Sequence, residues 1–172
     1  TYYVASDGDD LNDGLDPNTP VQTWDRAMQI LAGEQVAPLQ ILFRRGDSFL
    51  CGQDNFVGNR NMVRIGAYGQ SAQAPIINIA AGARSFWFEY TDDSRDFVIQ
   101  DLDFLGPGSP TDTGDGFLHC NGRGARDVCV LNSVRFSSGS DSSIFHLQLM
   151  LPFRLFNSCV PTSSVSVPSC PS

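Results

Sequence analysis

The sequence predicts an all-β solenoid, a right-handed parallel β-helix with one short amino-terminal capping helix, and three observations predict it. Arg95 to Phe104, RDFVIQDLDF, reads nearly the same as Arg126 to Phe136, RDVCVLNSVRF: Val98, Gln100, Leu102 and Phe104 fall over Val130, Asn132, Val134 and Phe136 at an offset of 32. A shorter copy, FRLFNSC, puts Leu155, Asn157 and Cys159 over Val130, Asn132 and Val134 at an offset of 25. Self-similarity at roughly 20 to 50 residues marks a solenoid, and alternation of period two makes its unit a strand.

The second observation is the amide. Within an apolar face, Gln100, Asn132 and Asn157 recur at one place, where stacked amides can bond along a ladder and satisfy one another. The third lies upstream, where a short apolar strand precedes each copy: Ser85 to Glu89, Gly116 to Cys120 and Ser143 to Leu147. Each repeat then runs strand, turn, strand, amide corner, strand, which is one three-sided coil. Three to five coils are expected, with right-handed crossovers between parallel strands. Three ordinary sandwich strands sharing a pattern would not explain the upstream repeat.

Composition agrees with this class. Sixteen Gly and ten Pro punctuate many short apolar runs, as in all-β proteins. At 172 residues the length suits one domain. Eleven basic residues, all arginine, against 19 acidic ones give a net charge of −8. That balance and the lack of any nucleic-acid motif exclude a nucleic-acid partner. No run of 18 apolar residues encodes a membrane span. The five cysteines, 51, 120, 129, 159 and 170, form no Cys-x-x-Cys pair; Cys120 with Cys129 is the most local disulfide, and buried thiols are the other reading.

Along the chain, Thr1 to Val4 is a short strand. The segment SDGDDLNDGLDPNTP follows, dense in Asp, Asn and Gly. Its oxygens make calcium a possible ligand, but the EF-hand spacing fails, because Leu11 falls at a ligand position. Turn chemistry is the better reading. Thr19-Pro20-Val21-Gln22 fits a capping box, and Thr23 is a second cap. Trp24, Ala27, Met28 and Leu31 at helical spacing and Gly33 as a stop predict a helix over about residues 20–32. It is expected to cover the open first coil. Leu39 to Phe43, Met62 to Tyr68 and Pro75 to Ile79 are strands. Residues 1–160 are expected to form the solenoid domain. Pro161 to Ser172, rich in Ser and Pro, reads as a disordered tail.

At this point a resemblance becomes specific. YYVASDGDDLNDGLDPNTPVQTWDRA, ILFRRGDSF and RIGAYGQSAQAPII resemble the amino-terminal portion of bacterial secreted right-handed β-helix proteins of the pectate lyase-like superfamily, over residues 1 to about 136, and the amide repeat extends this to about 160. The resemblance implies an exported protein, polysaccharide as partner, and a lyase or glycoside hydrolase activity in a longer parent. The scaffold also serves non-catalytic glycan-binding, adhesive and structural proteins. A start at Thr1 without methionine and the missing carboxyl-terminal cap suggest a trimmed chain. It is expected to be monomeric and inactive alone.

In the polysaccharide-active members the substrate lies along one strand face and its turns, here the sheet of Phe86 to Glu89, Phe117 to Cys120 and Ile144 to Leu147. Trp87 and Glu89 are its candidate substrate-binding residues. His119 and His146, 27 apart, take the same place in adjacent coils, about 4.8 Å apart if stacked. Their face is ambiguous, inward or outward. A lyase abstracts a proton α to a neutralised carboxylate. With no lysine, the candidate catalytic residues are His119, His146, Arg123 and Arg126. A glycosidase needs two carboxylates; Asp101 and Asp103 on one strand, with Asp115 and Asp141 in turns, read better as solvated acids. GRGAR at Gly122 to Arg126 offers a weak anion site or merely a tight turn. RRGD, Arg44 to Asp47, reads as structural.

Overall fold

The computed structural model describes residues 1–34, 36–53, 55, 57, 60–80, 83, 85 and 96–106 in full. It describes the backbone alone of 84, 86–88, 95, 116–120, 128–131, 136–137 and 154–156. Among these residues the chain is mostly β, with parallel sheets and one helix. No helix is long and apolar enough to cross a membrane among the described residues.

The elements in order are β1 (Tyr2–Val4), α1 (Trp24–Gly33), β2 (Leu39–Arg44), β3 (Ser48–Cys51), β4 (Asn61–Tyr68), β5 (Ile76–Ile79), β6 (Arg84–Phe88), β7 (Arg95–Gln100), β8 (Asp103–Leu105), β9 (Gly116–Cys120), β10 (Val128–Leu131), β11 (Phe136–Ser137) and β12 (Arg154–Phe156). A six-stranded sheet has the order β1-β2-β4-β7-β10-β12, a four-stranded sheet β11-β8-β5-β3, and β6 pairs with β9. Every pairing is parallel. The chain visits the three sheets in the order β6, β7, β8 and then again β9, β10, β11, which is the repeat read from sequence.

Alternation sets the core. In β2, Leu39, Ile41 and Phe43 are buried while Gln40, Leu42 and Arg44 are only partly covered. Parallel register then stacks like on like: Ile41, Ile65 and Ile99 follow one another across β2, β4 and β7, each fully buried. Phe49, Ile77 and Phe104 form the corresponding row in the four-stranded sheet. Each such side chain contributes about 1.5–3 kcal/mol by leaving water.

Successive corners between the two larger sheets are tied by backbone bonds. Arg45 N–H donates to Tyr68 O at 2.8 Å, Gly46 N–H to Gln73 O at 3.0 Å, and Asp103 N–H to Pro75 O at 2.9 Å. Each corner contains a residue of positive φ: Gly46 at 89°, Gly69 at 96° and Asp101 at 57°. Glycine takes that conformation without penalty, and aspartate is among the few side chains that tolerate it.

Asp101 also corrects the repeat. Val98, Gln100, Leu102 and Phe104 are not one strand face: Phe97 and Ile99 are buried in β7, whereas Val98 and Gln100 are half-covered on its outer face. The left-handed corner resets the phase, so Leu102 and Phe104 point inward again. Register follows suit. Gln100 pairs with Leu131, an offset of 31, while Phe104 pairs with Phe136, the expected 32. The second corner is therefore one residue longer. Gln100 is not inside an internal ladder; its amide donates to Asp101 Oδ2 at 3.1 Å. Asn132 and Asn157 lie outside the described residues. The offset of 25 holds, with Leu155 opposite Val130.

The helix starts at Trp24, one turn later than the capping box at Thr19 suggests. Val21 is held extended in a parallel bridge to Val4, so helical geometry cannot begin before Thr23. Thr23 Oγ1 accepts the Arg26 N–H at 3.1 Å as the N-cap. Its buried face is Trp24, Ala27, Met28, Ile30 and Leu31, and it lies against β1, β2 and β3. The outer edge of β1 is closed by the loop that follows it: Tyr3 N–H donates to Gly14 O and Val21 N–H to Tyr3 O, at 2.7 and 3.0 Å. An edge so covered offers no template to another strand. The expected tail at 161–172 lies outside the described residues.

Candidate functional site

Two places in the described residues gather polar side chains. One is a cavity of about 220 Å³ where the end of α1 meets the starts of β2 and β4, lined by Glu34, Val36, Leu39, Arg60, Asn61 and Val63. Glu34 is the helix C-cap, its N–H donating to Ile30 O at 2.8 Å. Its carboxylate accepts the Tyr2 hydroxyl at 2.6 Å and the Val36 N–H at 3.3 Å. The bond to Glu34, then burial, raises the Tyr2 phenol above its ordinary value. Arg60 donates to Ala32 O. Leu39 pairs with Val63 across β2 and β4, and both are buried, which makes an apolar floor.

One carboxylate, one guanidinium and one amide above that floor can donate and accept hydrogen bonds. Among the described residues that line the cavity, Glu34 is the one acid.

The second place is the corner after β2. Arg44 holds Asp7 at 2.8 Å through a terminal nitrogen and Asp47 at 2.9 Å through Nε. Asp47 Oδ2 also accepts the Ser6 N–H at 2.8 Å. The trio is therefore a clasp between the amino-terminal turn and the first corner. It also closes the Arg-Gly-Asp tripeptide: the Asp47 side chain is 13% exposed, and Arg45 reaches Asp101 at 3.7 Å. The structural reading of that motif stands. Nearby, Tyr3 meets Tyr68 edge to face at 5.1 Å.

Asp101 and Asp103 do not share a strand face. Asp101 is in the corner, bound to Gln100 and Arg45, and Asp103 opens β8. The Asp/Asn-rich segment serves as turn structure. Asp9, Asp13 and Asp16 accept the N–H two residues on, at 2.9, 3.0 and 2.8 Å, and Asp10 accepts from Gln22 N, Thr23 N and Thr23 Oγ1. Among the described residues no group of three or more His, Cys, Asp or Glu could hold a metal ion.

Of the candidate residues read from sequence, the structure brings two together. Trp87 in β6 and His119 in β9 are directly in register. Their side chains, and all of Glu89, Arg123, Arg126 and His146, lie outside the described residues. So do Asp115, Asp141 and Cys159; Cys51 is a buried thiol with Sγ 3.5 Å from both Gln53 O and Asn55 Nδ2. Sequence reasoning missed the cavity. Glu34 and Asn61 are 27 positions apart, and only the pairing of β2 with β4 unites them. The one local signal was a polar residue directly after the helix stop at Gly33.

Among solved structures, the chain is similar to a selenomethionine derivative of GH136 lacto-N-biosidase from Eubacterium ramulus, at 18% identity and a TM-score of 0.50. The match covers 78% of this chain and 26% of that one. The native form of the same protein matches at 15% identity and a TM-score of 0.35, over 76% and 34%. The chain thus spans about a quarter of the length of the first of these. No family model and no curated protein matches it. At this identity the likeness concerns the fold.

Proposed function

We propose that the chain is the amino-terminal part of a right-handed parallel β-helix in an exported bacterial protein that processes polysaccharide, as a lyase or a glycoside hydrolase. The observation that carries the reading is the repeated path β6, β7, β8 and β9, β10, β11 through three parallel sheets. The resemblance of its amino-terminal motifs to secreted β-helix proteins supports it, as does the likeness in fold to a lacto-N-biosidase that covers 26% of that enzyme. In this reading Trp87, in register with His119, belongs to the sheet along which substrate lies, and Glu89, Arg123, Arg126 and His146 are the residues to test beside them. The fragment alone is inactive.

A non-catalytic glycan-binding or structural role is the second reading. It is favoured by the clasp at Arg44, which uses Asp7 and Asp47 to tie the amino-terminal turn to the first corner.

The deciding experiment incubates the full-length protein with pectate, alginate, glycosaminoglycan and neutral glycans, with and without calcium. Ultraviolet absorbance of an unsaturated product identifies a lyase, and new reducing ends without it a hydrolase. Binding with neither outcome leaves the second reading, and neither binding nor turnover on any glycan removes both.

A further inference from the structure

We draw no further inference here: the strongest candidate, the exposed apolar strip of Val36, Ala37, Pro38 and Met62 where the starts of β2 and β4 lie side by side, is an unpartnered surface, and nothing in the structure shows what covers it.

Discussion

Trp24 lies flat against Phe43, ring centroids 5.2 Å apart and planes inclined by 25°, and meets Phe104 edge to face at 6.2 Å. One residue of the helix thus reaches aromatic side chains of two different sheets. It is fully buried, so replacing it by alanine leaves a cavity at their junction. Trp24→Ala is expected to cost about 3–5 kcal/mol, read as a fall in the midpoint of a urea melt. A loss below about 1 kcal/mol would mean that the helix does not close the core.

The Asp10 carboxylate ties the amino-terminal loop to the helix start. Burial pushes its pKa up, but hydrogen bonds from the Thr23 hydroxyl, then from the Thr23 and Gln22 backbone, outweigh this and hold it below the ordinary value. Because the folded pKa is depressed, the contribution is present above the unfolded value of about 3.9 and is lost as pH falls through the folded pKa. Asp10→Asn should lower the melting temperature at pH 7, and the gap to the parent should narrow below about pH 4. A constant gap from pH 2 to 7 would contradict this.

Two glycines should respond in opposite ways to alanine. A Cβ on Gly8 would stand 2.6 Å from Pro20 O and 2.7 Å from Val21 O, both backbone atoms that the bridge to Val4 holds in place. Gly8→Ala is expected to cost about 1–3 kcal/mol or more. On Gly66 the nearest atoms, Gln100 Cγ and Leu42 Cδ2, are 3.5 Å away, ordinary contact. Gly66→Ala should be neutral or slightly stabilising, since glycine in a strand interior carries excess entropy. Denaturant melts of the pair check both.

Asp101 combines an unfavourable backbone with useful contacts. Glycine there relieves the positive φ but loses Arg45 and Gln100; alanine loses the contacts and keeps the strain. Asp101→Ala should therefore destabilise by about 1–2 kcal/mol more than Asp101→Gly. Equal effects in a melt would mean that the corner does not depend on left-handed geometry.

Alternation and spacing in the sequence determined the strands over Leu39 to Phe43, Met62 to Tyr68 and Pro75 to Ile79, that one short helix carries Trp24, Ala27, Met28 and Leu31 inward, and that Leu155 follows Val130 in the stack. These are local properties: a period of two or of 3.6 residues is imposed by the backbone itself and needs no distant partner. The start of the helix, the phase across Asp101 and the true partner of Gln100 were decided by tertiary structure. Val21 is kept extended by Val4, and one left-handed residue turns Val98 and Gln100 outward while Leu102 and Phe104 turn in, which no count of alternating residues registers. The cavity belongs to the same class. Glu34 caps the helix and Arg60 and Asn61 stand at the start of β4, and they meet because parallel pairing sets the start of β4 beside the start of β2, a relation that depends on the length of the whole intervening coil.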